Sequence, residues 1–188
     1  MLDVMVMERI CQTIKLGDVI GVDYGYYQHF GIYIGDYEVI HYFQDEEKKS
    51  DKVTIQITKY ETFLGYEEEC FVCDFTKFMH PPDKFYNVKT QSKSLYRLID
   101  PKLNLTEEFE KESTIYTAFQ TEKYKIYSPQ ETVSRAYQRL GEICYDPKHG
   151  TMEHFIIWCK TGIDESSQAN AVLKVLKQNW VLISMKNN

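Results

Sequence analysis

The sequence predicts an α+β domain, an antiparallel sheet packed against helices, and three observations carry that prediction. The apolar runs His29-Phe30-Gly31-Ile32-Tyr33-Ile34 and Tyr37-Glu38-Val39-Ile40-His41-Tyr42-Phe43 flank Gly35-Asp36, a hairpin signal. Ser128-Pro129-Gln130-Glu131 opens a helix, with a cap, proline at the first position and an acid three residues after the cap. Gly150-Thr151-Met152-Glu153-His154-Phe155 opens a second helix, whose Met152, Phe155, Ile156 and Cys159 form one apolar stripe.

The 188 residues suit one domain spanning 1–188, with an insertion at about 44–125. The composition is that of a soluble globular chain, 43% hydrophobic and 27% charged, with fifteen Tyr and ten Phe. A net charge of −6 argues against a nucleic-acid partner and against purely electrostatic attraction to anionic lipid. Five cysteines follow no disulfide framework. Cys70-x-x-Cys73 lacks a second ligand pair at zinc spacing and reads as two strand positions, with redox or metal binding as the less favoured alternative. Met1 to Arg9 lacks the basic start and apolar run of a secretory signal, so the expectation is a cytoplasmic, reducing compartment. Asn104-Leu105-Thr106 is a glycosylation acceptor that matters only in a secreted chain.

Taken in order, Gly17 to Asp23 is the first strand and 29–43 the hairpin. Its parity decides what the two histidines can do. A strict two-residue loop pairs Ile34 with Tyr37 and sends His29 and His41 to opposite faces; an odd loop, with Tyr33 opposite Tyr37, sets His29 opposite His41 on one face. Either an odd loop or a bulge is expected, since Gly35 accepts a left-handed conformation. Residues 45–52 are a solvated charged loop, and 53–58 and 70–75 are further strands. Pro81, Pro82 and Pro101 mark 79–102 as the least regular part, and Thr106 starts a short helix. The helix after Ser128 runs to about Leu140 and stops at Gly141. Thr151 is the expected N-cap of the next, which makes Met152 its first residue and Gly162 its end. A last amphipathic helix spans about 166–184, with Val172, Leu173, Leu176, Trp180 and Ile183 on its apolar face.

These residues resemble the lecithin retinol acyltransferase-like family, circularly permuted relatives of papain-like thiol hydrolases that include small phospholipase/acyltransferases. Gly17-Asp18-Val19-Ile20, His29-Phe30-Gly31-Ile32-Tyr33-Ile34-Gly35-Asp36 and Val39-Ile40-His41 are similar to its histidine box, down to the twelve-residue step between the histidines. Tyr127-Ser128-Pro129, Arg135-Ala136 and Arg139-Leu140-Gly141-Glu142 resemble the run before its nucleophile. Glu153-His154-Phe155 and Thr161-Gly162 resemble its Asn-Cys-Glu-His-Phe helix. The likeness covers roughly 15–43 and 126–170. It implies a permuted papain-like architecture in which His29 is the base, His41 orients it, and the nucleophile position is 152.

That position holds Met152, and Thr151 replaces the asparagine before it. A thioether has no proton to lose and forms no thioester. Cys159 lies seven residues on, about 10 Å along a helix, too far to substitute. Cys144, in the preceding connector, is the substitute thiol if the loop folds back. Met152 then reads as a core methionine filling the thiol's space. His149, Glu153 and His154 lack a short metal-ligand motif, so neither metal nor cofactor is expected, and His154 reads as structural.

Three functional classes follow. The leading expectation is a catalytically degenerate acyltransferase/phospholipase-like domain that binds a lipid, an acyl chain or a protein partner. The second is an active acyltransferase or hydrolase using Cys144 or water activated by His29. The third is a structural or viral interaction protein, since some viral proteins share the histidine-box framework. Membrane contact is expected to be at most peripheral, through the last helix, with its lysines lying off the apolar face.

Overall fold

The computed structural model describes residues 13–44, 52–79, 124–143, 151–164, 166–177 and 180–184. Within them lie strands β1 (Val19–Asp23), β2 (Gln28–Gly35), β3 (Glu38–Phe43), β4 (Thr54–Lys59), β5 (Glu69–Cys73) and β6 (Trp180–Ser184). The helices are α1 (Tyr60–Leu64), α2 (Thr76–Met79), α3 (Pro129–Gln138), α4 (Thr151–Thr161) and α5 (Ser166–Lys177). The strands form one sheet in the order β4-β3-β2-β1-β5-β6. Every neighbouring pair is antiparallel, as the α+β expectation requires. The segment expected as an insertion therefore supplies β4 and β5; the calls made on 80–123 lie outside the described residues.

Alternation along each strand divides the sheet into two faces. One carries Phe30, Ile32, Ile40, Tyr42 and Ile55, packed with Phe155, Ile156, Ile157 and Cys159 of α4 and with Val172 and Leu176 of α5. The other carries Ile20, Val22, Tyr33 and Val39, covered by Tyr60, Phe63 and Leu64 of α1 and by Ile14. Each side chain buried at this size contributes roughly 1.5–3 kcal/mol, so the helical face carries most of the apolar stabilisation.

α3 starts as its sequence predicts. The Ser128 hydroxyl accepts from Glu131 N, the Glu131 carboxylate accepts from Ser128 N, and Pro129 occupies the first position. Arg135 then locks α3 to α4. Its guanidinium lies 4.3 Å from the Tyr127 ring centroid and 3.8 Å from that of Trp158, and it donates twice to the Trp158 carbonyl. α4 begins at Thr151, one residue before the expected start, so Thr151 is helical rather than the cap.

Two expectations are corrected. The last helix stops at Lys177, and Trp180–Ser184 pairs with β5 from Cys73↔Trp180 to Glu69↔Ser184. Trp180-Val181-Leu182-Ile183 is a short, continuous apolar run rich in strand-forming residues, and sheet pairing decides what periodicity leaves ambiguous. Val172, Leu173 and Leu176 are buried within the protein, as expected of the helix's apolar face. The β2–β3 turn centres on Asp36-Tyr37, both with positive φ (49° and 58°), one residue later than expected. Gly35, at φ 87°, pairs with Glu38, and the register shifts between Tyr33 and Gly35. Ile34 is thus the extra residue of a β-bulge. Cys70 and Cys73 lie in the clusters on opposite faces of the sheet, so they cannot act as one pair. No helix among the described residues is long and apolar enough to cross a membrane.

Candidate functional site

The bulge restores the parity that a two-residue turn would break. Gly31 faces His41, Ile32 faces Ile40 and Tyr33 faces Val39, so His29 and His41 share a face. They meet diagonally across β2 and β3 rather than directly opposite, a separation that long side chains span. Gly31 leaves the room between them. A Cβ there would stand 2.5 Å from Val39 Cγ1, 3.1 Å from Phe63 Cε2 and 3.2 Å from His41 Cβ. His29 Nε2 lies 2.7 Å from His41 Nδ1, and His41 Nε2 lies 2.7 Å from Thr58 Oγ1 on β4. Thr58 Oγ1 in turn donates to the Lys59 carbonyl at 3.2 Å.

Phe63 of α1 roofs the pair, its ring centroid 5.3 Å from His29 and 5.2 Å from His41. α1 is held by Tyr24, whose hydroxyl donates to the Phe63 and Leu64 carbonyls. Burial pushes His29 down to about 4. Burial, and then the neighbouring His29, hold His41 well below the ordinary imidazole value, against a smaller opposing contribution from the Tyr42 backbone. Both rings are therefore neutral at pH 7. His41 is only 1% exposed, which a polar ring tolerates because both of its nitrogens are bonded.

The remaining site residues divide around this pair. Met152 lies in the first turn of α4, half-buried, and packs against the apolar cluster on the helical face. The histidines stand on the α1 face. α4 runs alongside β2, with Phe155 against Tyr42 and with Lys160 Nζ donating to the Gly17 carbonyl at the far end. Met152 thus reaches the same end of the sheet as His29, from the other face. Cys144, His149 and Cys11 lie outside the described residues. Cys70, Cys73 and Cys159 are buried free thiols. Burial raises all three, Cys70 to about 11 and Cys159 to about 12, so none is a ready nucleophile at neutral pH. His154 Nε2 is buried without a hydrogen-bond partner. No group of three or more His, Cys, Asp or Glu among the described residues is placed to hold a metal ion.

Sequence reasoning missed Thr58 and Phe63. The polar alternation Thr54, Gln56, Thr58 against Ile55 and Ile57 marks Thr58 as lying on the face opposite Ile55, but nothing local reveals that this face meets His41. No curated protein matches the sequence. The model of the family described as lecithin retinol acyltransferase matches residues 12–165, from before β1 to beyond the end of α4. With both histidines and the α4 segment inside that match, the chain belongs to the lecithin retinol acyltransferase family.

Proposed function

We propose that this protein is an acyltransferase/phospholipase-like domain that keeps its family's paired histidines, has lost the thiol chemistry, and works by binding an acyl lipid without covalent turnover. One observation carries the reading: a hydrogen-bonded imidazole pair, with His41 buried and His29 half-buried, persists while the nucleophile position holds Met152. Neither half works as a general base–nucleophile pair without the other. His29 at about 4 is neutral and able to accept a proton, but the thioether has none to give. The described cysteines offer no replacement, since burial holds each of them as a thiol.

The test is co-sedimentation with vesicles of a zwitterionic diacyl phospholipid, with fatty-acid release assayed in the same tubes. Binding without release is the expected result. Release of fatty acid would establish a working hydrolase, and failure to bind would remove the lipid reading.

A further inference from the structure

We infer that Thr58 is a positioning residue that sets the tautomers of both histidines, so that His29 turns an unprotonated Nδ1 outward from the relay. The order of protons follows from the oxygen at the end of the chain. Thr58 has one hydroxyl proton, and it donates to Lys59 O at 3.2 Å. The Thr58 oxygen is then the acceptor for His41 Nε2–H at 2.7 Å. A neutral imidazole protonated on Nε2 is bare on Nδ1, so His41 Nδ1 accepts from His29 Nε2–H at 2.7 Å. His29 is protonated on Nε2 as well, and its Nδ1 carries no proton. Any group meeting that nitrogen must donate a hydrogen bond, as a hydroxyl, thiol or amide N–H does and a thioether does not. This order starts from the Thr58–Lys59 hydrogen bond and involves no ligand.

Removing the oxygen reverses the relay. In Thr58→Val, His41 Nε2 loses its acceptor, and a buried bare nitrogen is better tolerated than a buried orphaned N–H. His41 then carries its proton on Nδ1 and donates to His29 Nε2, and His29 turns an N–H outward. Ring-nitrogen chemical shifts of the ¹⁵N-histidine-labelled protein at neutral pH read this directly. The native protein should show His29 and His41 both protonated on Nε2, Thr58→Val should move both protons to Nδ1, and Thr58→Ser should restore the native pattern. A merely structural Thr58 would leave the tautomers unchanged in Thr58→Val. That result, or a native His41 protonated on Nδ1, would overturn the assignment. The native spectrum and Thr58→Ser decide the point even if Thr58→Val fails to fold.

Discussion

The two faces of the sheet are built on different principles. On one, α3, α4 and α5 bury a continuous apolar layer, and the polar groups they bring are used to fasten helices together, as Arg135 does between Tyr127 and Trp158. On the other, a five-residue helix covers two imidazoles joined in a chain of hydrogen bonds. The first face holds the fold. The second carries polar groups that add little apolar stabilisation, which is expected of a region kept for binding or chemistry. Met152 belongs to the first face and the histidines to the second, with His29 and the start of α4 at the same end of the sheet.

The largest effect should come from the helical face. Deleting 166–188 removes Val172 and Leu176, both fully buried, and strips β6 from the edge of β5. At roughly 1.5–3 kcal/mol per side chain the loss approaches the whole stability of a small domain. Thermal denaturation should show no cooperative transition, and an unchanged melting temperature would mean that the helical layer does not hold the fold.

Phe63→Ala should act on the other face, costing about 3–5 kcal/mol at this buried site. It should also raise the titration midpoints of His29 and His41 toward the ordinary value, because it lets water reach the pair. Phe155→Ala should cost a similar amount and leave both midpoints where they are. Histidine NMR titration of the two variants separates the faces, and equal shifts in both would merge them.

Low pH gives a smaller effect of known sign. The folded-state values of both histidines lie below the unfolded value of about 6.5. Stability is therefore fully present above pH 6.5 and is lost as pH falls toward the folded value of about 4 for His29, because the unfolded chain binds protons that the native state refuses. Urea denaturation should show a loss of roughly 2–3 kcal/mol over that window. His29→Gln should flatten the curve, and a variant with the same slope would place the titration elsewhere.

The smallest effect belongs to the surface. The Lys59–Glu38 pair links β4 to β3 at 2.7 Å, with the Lys59 side chain 64% exposed. Lys59→Met should change stability by less than about 1 kcal/mol. A larger change would show that the β4 edge constrains Thr58 through its neighbour.

These faces were unequally legible in the sequence. Helix caps and apolar spacing at Ser128, Phe155, Ile156, Val172 and Leu176 are local signals, and the helical layer follows from them. The shared face of His29 and His41 was readable as a parity condition, but the bulge that meets it depends on Tyr33 and Gly35 in their paired context. Thr58 and Phe63 reach the histidines only through the register of β4 and the placement of α1, which no local pattern encodes. Trp180 to Ser184 read as helix because four apolar residues in a row carry no period.

Residue 152 offers the most direct test of whether the thiol chemistry is lost. Intact-protein mass spectrometry should follow the native chain and Met152→Cys through a short pulse of iodoacetamide, and separately of an activated acyl ester, at pH 7. A thiol in the first turn of α4 has a depressed pKa, whereas Cys70, Cys73 and Cys159 are buried and held as thiols. The new cysteine should therefore label first with iodoacetamide, and the native protein should gain no acyl group. An acyl adduct on the native chain, mapped to Cys144, would contradict the account and reveal a relocated nucleophile.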